Sequence, residues 1–189
     1  MSNSKGRLFV VSGPSGTGKS TLIERFLNED PRVRFSVSYT TREKRPHEVD
    51  GRDYRFVDGE TFGKMTEEGQ FLEWENVHGY SYGTPIREVA RPLSEGIDVI
   101  LDIDVKGALS VRQRCEQAVL IFVDTPSMEE LIKRLSIRGE KEIEKRMQRV
   151  REEVAKKGLF TYIVINDNLN KAYDEFKSII TEVRRQHDG

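Results

Sequence analysis

An α/β fold, in which helices cover both faces of a parallel sheet, is predicted by three observations. The first is a glycine-rich stretch, GPSGTGKST at residues 13–21, directly after the apolar run LFVV. The second is a set of three nearly continuous apolar runs, IDVILDID, AVLIFVD and TYIVIND. Such runs suit strands buried on both faces. The third is the set of amphipathic segments lying between them, because strands alternating with helices build parallel sheets.

Taken in order, residues 7–12 (RLFVVS) predict a short strand that ends at the glycine loop. KSTLIERFLNE follows, placing Leu22, Ile23, Phe26 and Leu27 on one helical face before Asp30-Pro31 stops the helix. From about residue 35 to 84 the texture changes. RFSVSYTTR, DYRFV and GQFLEWENV read as short strands, broken by RPHEVDGRD and by DGETFGKMTEEG, the latter read as a short helix. This polar, aromatic stretch predicts a separate β-rich lobe. Strand–helix alternation then resumes. TPSMEELIKRL carries a capping box, Ser127 with Glu130 three residues on. IEKRMQRVREEVAKK sets Ile143, Met147, Val150 and Val154 on one stripe, and NKAYDEFKSIITEV does so with Ala172, Phe176, Ile179, Ile180 and Val183.

The totals narrow the class. A chain of 189 residues with 33% charged and 36% hydrophobic residues suits one solvated domain bearing smaller lobes. With 31 basic against 32 acidic residues, the net charge of -1 argues against a nucleic-acid or membrane surface while leaving room for a local basic pocket. The single cysteine, Cys115, excludes an internal disulfide. The N-terminus lacks the pattern of a signal peptide, so a cytoplasmic protein is expected.

Gly13, Gly18, Lys19 and Ser20 fit G-x-x-x-x-G-K-[ST], and the intervening Pro14, Ser15, Gly16 and Thr17, with Thr21 after them, complete the loop. Glycines allow successive backbone N–H groups to turn toward one anion, and a helix starting near Lys19 adds the positive end of its dipole. Lys19, expected to be exposed in the empty loop, can reach the β- and γ-phosphates, and the Ser20 hydroxyl can ligate Mg²⁺. A nucleoside triphosphate site is therefore expected. A GTPase would further need a late guanine reader of the form NKxD. Asp104–Gly107 matches the DxxG half of a switch, but Asn170-Lys171 is followed by Ala-Tyr-Asp, one residue out of step.

The middle of the chain supplies a different reading. SVSYTTREKRPHEVDGRDYRF, FLEWENVHGYSYGTP and VILDIDVKG, together with the glycine loop and VIND, resemble the guanylate kinase family over nearly the whole chain. The resemblance implies a P-loop kinase with a parallel β-sheet core (residues 1–34, 87–125 and 158–189), an inserted β-rich GMP-binding lobe (35–86) and an α-helical lid (126–157). It implies γ-phosphoryl transfer from ATP to GMP with Mg²⁺, giving GDP and ADP, on a monomer or a homo-oligomer alike. Arg42 and Arg45 resemble the pair that grips the GMP phosphate, with the Tyr54 hydroxyl beside them. Two guanidinium forks suit a dianionic acceptor. Ser38 and Thr84 resemble hydroxyls that face guanine, Tyr82 the aromatic beside the nucleotide, and Asp104 a second acceptor. Glu73 resembles the carboxylate that accepts from guanine N1–H and the 2-amino group. Adenine offers no such edge, and an unpaired desolvated carboxylate would reject it. Asp102 resembles a Walker-B carboxylate touching Mg²⁺ through water. Arg134, Arg138 and Arg146 resemble lid arginines, with Arg138 and Arg146 grouped with Lys19 and Arg42 as catalytic. Asn166 and Asp167 match the pair near the adenine of ATP. The segment between Arg138 and Arg146 is a few residues shorter than the family pattern, and Tyr80-Ser81 stands where relatives more often have Asn-Tyr.

Two rivals follow from the same residues: a silent guanylate-kinase-like module that binds phosphorylated partners, and a kinase of another nucleoside monophosphate. An eroded P-loop is expected of the first, and Glu73 with Ser38 and Thr84 argues against the second. Phe71 and Trp74 are read as packing residues of the lobe, and Cys115 as helix-side packing. His47, His78 and His187 lack metal spacing.

Overall fold

The computed structural model describes residues 5–77, 79–137 and 143–188. The chain begins with β1 (Leu8–Ser12), the glycine loop, α1 (Lys19–Glu29) and β2 (Val33–Phe35). A lobe follows, made of β3 (Tyr39–Thr40), β4 (Arg55–Phe56), α2 (Gly59–Glu67), β5 (Phe71–Val77) and β6 (Tyr80–Pro85). Next come α3 (Ile86–Ser94), β7 (Asp98–Asp102), α4 (Val105–Arg114) and β8 (Val119–Asp124). After α5 (Met128–Ile137) and α6 (Ile143–Ala155), a 3₁₀ turn leads to β9 (Tyr162–Ile165) and α7 (Leu169–Asp188).

Five strands pair in parallel in the order β2-β7-β1-β8-β9. Because side chains alternate along a strand, β1, β7 and β8 each feed two cores, whereas the edge strand β9 feeds one of them, through Val164. Phe9, Val11, Ile100, Ile121 and Val123 face α1 and α7, where Phe26 meets Phe176 edge-on at 5.8 Å. Leu8, Val10, Val99, Leu101, Leu120 and Phe122 face Val89 of α3 and Val105, Ala108 and Val111 of α4. Burial on both faces explains why these runs are apolar throughout. The helical stripes behave as their spacing predicts: Ala172, Phe176, Ile179, Ile180 and Val183 are buried in the first core. Leu131 and Leu135 of α5 pack on Met147 and Val150 of α6 in a separate cluster. Ser127 accepts from the Glu130 N–H at 3.2 Å, one half of the expected capping box.

The second sheet runs β4-β3-β6-β5, antiparallel except for the β3–β4 pair. The run read as one strand over RFSVSYTTR is divided between the sheets. Phe35 pairs with Ile100 in the parallel sheet, whereas Tyr39 pairs with Gly83 in the lobe. Between them the Ser36 N–H still reaches the Ile100 carbonyl, at 3.1 Å, and the Val37 N–H is taken by the Glu88 carboxylate, also at 3.1 Å. Phe71 is buried and stacked on Phe62 at 4.6 Å, and Trp74, though partly exposed, meets the same Phe62 ring edge-on at 6.5 Å, so both pack within the lobe as expected. Cys115 packs against the second core at the end of α4. No helix among the described residues is long and apolar enough to cross a membrane.

This topology fixes the site. The chain leaves β1 for β2 on one side, while β8 lies on the other, so the sheet order reverses at β1. Crevices at such points, at the carboxyl ends of the strands, bind ligands. The register places Val11 of β1 beside Asp102 of β7, at the mouth of the glycine loop.

Candidate active site

The glycine loop needs its glycines for two separate reasons. Gly13, Gly16 and Gly18 have φ of 132°, 90° and 93°, a region that side chains other than glycine rarely adopt. Space is also lacking, since a Cβ on Gly13 would lie 2.2 Å from the Val123 carbonyl oxygen and one on Gly18 would lie 2.3 Å from Asn166 Nδ2. Gly18 is the N-cap of α1 and supplies no side-chain cap. The first N–H groups of that helix are thus left for an anion.

Lys19 is half-buried and folded onto the loop, a correction to the expected exposure. Its Nζ donates to the carbonyls of Gly13 at 2.6 Å and Pro14 at 3.1 Å. The Ser20 hydroxyl donates to Asp102 at 3.3 Å. Burial pushes the Asp102 carboxyl above the usual carboxylate range, against the pull of Lys19 and Ser20.

Two sequence-named residues brace this loop from outside. Asn166 is buried and its amide donates to the Thr17 carbonyl at 2.8 Å. Arg134 donates to the Asn166 carbonyl at 3.0 Å and to Glu130 at 2.8 Å. Asp167 is exposed beside them.

Across the cleft, Arg42 is held by three acceptors: Glu48 at 2.7 Å, the Tyr82 hydroxyl at 3.2 Å and the Glu43 carbonyl at 2.7 Å. Glu48 was not among the sequence-named residues. It is buried, and its second oxygen takes the Arg45 N–H at 2.9 Å. Burial alone would raise its carboxyl, but the bonds from Arg42 and Arg45 hold it below the ordinary value. The Tyr54 ring lies 5.5 Å from the Arg42 guanidinium, and burial, with the nearby Asp102 charge, pushes its phenol up to about 12. It therefore stays a hydroxyl donor.

Glu73 on β5 is only 3% exposed and accepts from Thr84 of β6 at 2.5 Å. Its other oxygen presses on α4 where Gly107 stands, 2.7 Å from the place of a Cβ. No motif in the sequence points to this contact with Gly107, although Asp104 at the start of the same helix is read as an acceptor. Asp104 caps α4 by accepting from the Gly107 N–H at 2.8 Å. One cleft of about 340 Å³ is lined by Gly13, Ser15, Lys19, Ser38, Arg45, Tyr54, Glu73, Tyr82, Asp102 and Asp104, joined by Leu135, Arg149, Val150 and Glu153 from α5 and α6. Arg138 and the Arg146 side chain lie outside the described residues.

Burial pushes the Glu73 carboxyl up to about 7, reinforced by Asp104 and Glu75 and opposed by the Thr84 bond. An acid whose folded value is raised lends stability that is complete below the unfolded value, 4.5, and is lost as pH climbs through about 7. Above that, ionised Glu73 costs roughly 3 kcal/mol in the nucleotide-free protein. Glu73→Gln has no proton to lose. Relative to wild type, the variant should therefore gain stability between about pH 4 and pH 8, by roughly that amount. Urea unfolding of both proteins across this range tests it, and parallel pH curves would refute the burial cost.

A P-loop and a guanidinium-bearing lobe that face each other across one cleft define a nucleoside monophosphate kinase. Comparison with known proteins gives the family. A family model described as "Guanylate kinase" matches residues 5–183. A guanylate kinase of Oleidesulfovibrio alaskensis is 46% identical over 176 residues, covering 92% of this chain and 85% of that one. One of Thermotoga maritima is 46% identical over 183 residues, covering 95% and 88%. The crystal structure of guanylate kinase from Anaplasma phagocytophilum superposes with a TM-score of 0.79 at 30% identity, covering 97% of this chain and 87% of that one. The chain belongs to the guanylate kinase family.

Proposed function

We propose that the chain transfers the γ-phosphoryl of ATP to GMP, or dGMP, by direct in-line displacement, giving GDP and ADP. The observation that carries this reading is Glu73: a buried carboxylate, paired with the Thr84 hydroxyl, in the same cleft as Lys19. Residues 13–21 cradle the ATP phosphates, with Asn166 and Asp167 at the adenine side and Arg134 among the lid arginines that reach the phosphates. Arg42, Arg45 and Tyr54 hold the GMP phosphate, with Glu48 fixing Arg42. Glu73, Ser38, Thr84, Tyr82 and Asp104 enclose guanine. Residues 35–86 act as the acceptor lobe and 126–157 as the lid. The Ser20 hydroxyl and Asp102, 3.3 Å apart beside Lys19, suit a Mg²⁺ ion that keeps most of its waters. When bound, that ion supplies positive charge to the β- and γ-phosphate oxygens.

The acceptor is already an anionic phosphate oxygen, so no strong base is needed. Catalysis is then orientation and charge neutralisation by Lys19, Arg42 and the lid arginines. Water must be excluded or ATP would be hydrolysed, which is the task of the lid. The chain works in the cytoplasm, where both substrates are found. ADP formation measured with GMP, AMP, CMP, UMP and dTMP in turn tests the reading. A strong preference for GMP is expected, and equal rates with AMP would overturn it.

Lid arginines meet the phosphates mainly in the closed, reacting state, and such contacts act on kcat. Arg138→Ala and Arg146→Ala should each lower kcat by roughly 10- to 100-fold, with a much smaller rise in KM for GMP. Steady-state kinetics of the two variants measure this. An intact kcat in either would mean that the short connection has shifted the register, with Arg134 or Arg149 next in line.

A further inference from the structure

One ionic contact joins the α6 helix to the opposite wall of the cleft. Arg149 lies 3.5 Å from Asp104 and donates to Glu153, one turn along α6, at 3.0 Å. Asp104, Arg149 and Glu153 line the catalytic cleft and also an outer groove of about 280 Å³, bordered further by Asn76, Lys106 and Lys156. Val77 lines both spaces as well, so these three residues and Val77 form the partition between them. The Asp104 carboxylate divides its oxygens between tasks. Oδ1 is taken by the Gly107 N–H, which fixes the side chain on α4, and Oδ2 is the atom nearest Arg149. At 3.5 Å the pair is longer than a tight charge-assisted bond, so it can adjust without being lost.

We propose that Arg149 is a positioning residue that clasps α6 to the base-reading end of the cleft through Asp104. The proposal rests on the reading of Asp104 as an acceptor for the base. A carboxylate oxygen has two lone pairs, so Oδ2 can keep Arg149 while it receives a donor from the nucleotide. Met147 and Val150 anchor α6 to α5, and the clasp adds a polar hold from α6 to the guanine end of the cleft. The guanidinium also places a positive charge between the cleft and α6, next to the two acids Asp104 and Glu153, whose mutual repulsion would otherwise push α6 away.

Arg149→Met keeps most of the bulk and removes the charge. Because the clasp acts through Asp104, its effect must vanish when Asp104 is already altered. In the wild-type background Arg149→Met should lower kcat/KM for GMP by about fivefold, and in Asp104→Asn by less than about twofold. Arg149→Lys should recover most of the loss, while affinity for a nonhydrolysable ATP analogue and the melting temperature stay unchanged. In nucleotide-free protein, amide hydrogen exchange over residues 147–155 should quicken in both Arg149→Met and Asp104→Asn. Unchanged exchange in Arg149→Met, or additive losses in the double variant, overturns the clasp. If Asp104→Asn lowers kcat/KM for GMP only by the loss seen in Arg149→Met, the clasp stands and only the acceptor role of Asp104 falls; if it quickens exchange yet leaves kcat/KM for GMP intact, the clasp is overturned as well.

Discussion

Replacing Lys19 by alanine should reduce kcat by about 100- to 1,000-fold, the range seen when one group stabilising transition-state charge is deleted. The fold should survive the change. Lys19 Nζ satisfies the Gly13 and Pro14 carbonyls in the nucleotide-free loop, at 2.6 and 3.1 Å. These acceptors lie at the mouth of a cleft where water can replace the ammonium. The expected stability cost is about 1 kcal/mol, equivalent to a melting shift of about 2–4 °C for a chain of this size. Most of the effect belongs to the reaction: in the proposed mechanism, the ammonium exchanges two neutral carbonyls for phosphate oxygens when ATP binds and follows the migrating phosphoryl group. Circular dichroism and a thermal melt recorded beside turnover separate the two effects. Near-normal turnover in a folded variant would remove Lys19 from the mechanism and favour a module that binds without catalysis.

Much of the core was legible because burial on both faces leaves a strong mark. The apolar runs at residues 98–102 and 119–124 form interior strands buried on both faces, whereas the equally apolar run at 162–165 is the sheet's edge strand and leaves Ile163 and Ile165 partly exposed, a difference the sequence does not mark. The glycine loop was legible for a related reason: backbone geometry and close approach restrict Gly13, Gly16 and Gly18 directly. Less was visible where one stretch serves two structures. Val33–Thr40 passes from one sheet to the other across Ser36–Ser38, and alternation alone cannot report a change of partner. Helix α3 carries Pro92 in its last turn, which reads in the sequence as a break. Glu48 was missed because nothing in REKRPHE distinguishes it from Glu43. Only the folded loop buries one of them against Arg42 and leaves the other exposed. Glu73 and Thr84 were named through the family resemblance, yet the approach of Glu73 to Gly107 depends on how α4 packs against β5, and no local pattern contains it.

That contact sharpens the expectation for Glu73→Gln, in which one carboxylate oxygen becomes an NH₂ group. Thr84 donates to one oxygen of Glu73 at 2.5 Å, so the amide carbonyl of glutamine would keep that position. The NH₂ then takes the place of the other oxygen, where, in the proposed pose, guanine presents N1–H and its 2-amino group. Donor meets donor. At least one charge-assisted bond is lost, costing on the order of 2–4 kcal/mol. The kcat/KM for GMP should fall by roughly 30- to 1,000-fold. ATP should bind as before, because the P-loop follows β1 in the parallel sheet whereas Glu73 stands on β5 in the second sheet. The comparison belongs at about pH 8. There wild-type Glu73, with its carboxyl pushed up to about 7, is mostly ionised and able to accept. At lower pH a protonated Glu73 would itself present a donor, and the gap between wild type and variant should narrow. The measurements are kcat/KM for GMP as a function of pH and a titration of a nonhydrolysable ATP analogue, each in both proteins. A variant that phosphorylates GMP at the wild-type rate would show that Glu73 does not read the base, and the choice of guanine would then have to rest on Ser38, Thr84 and Asp104.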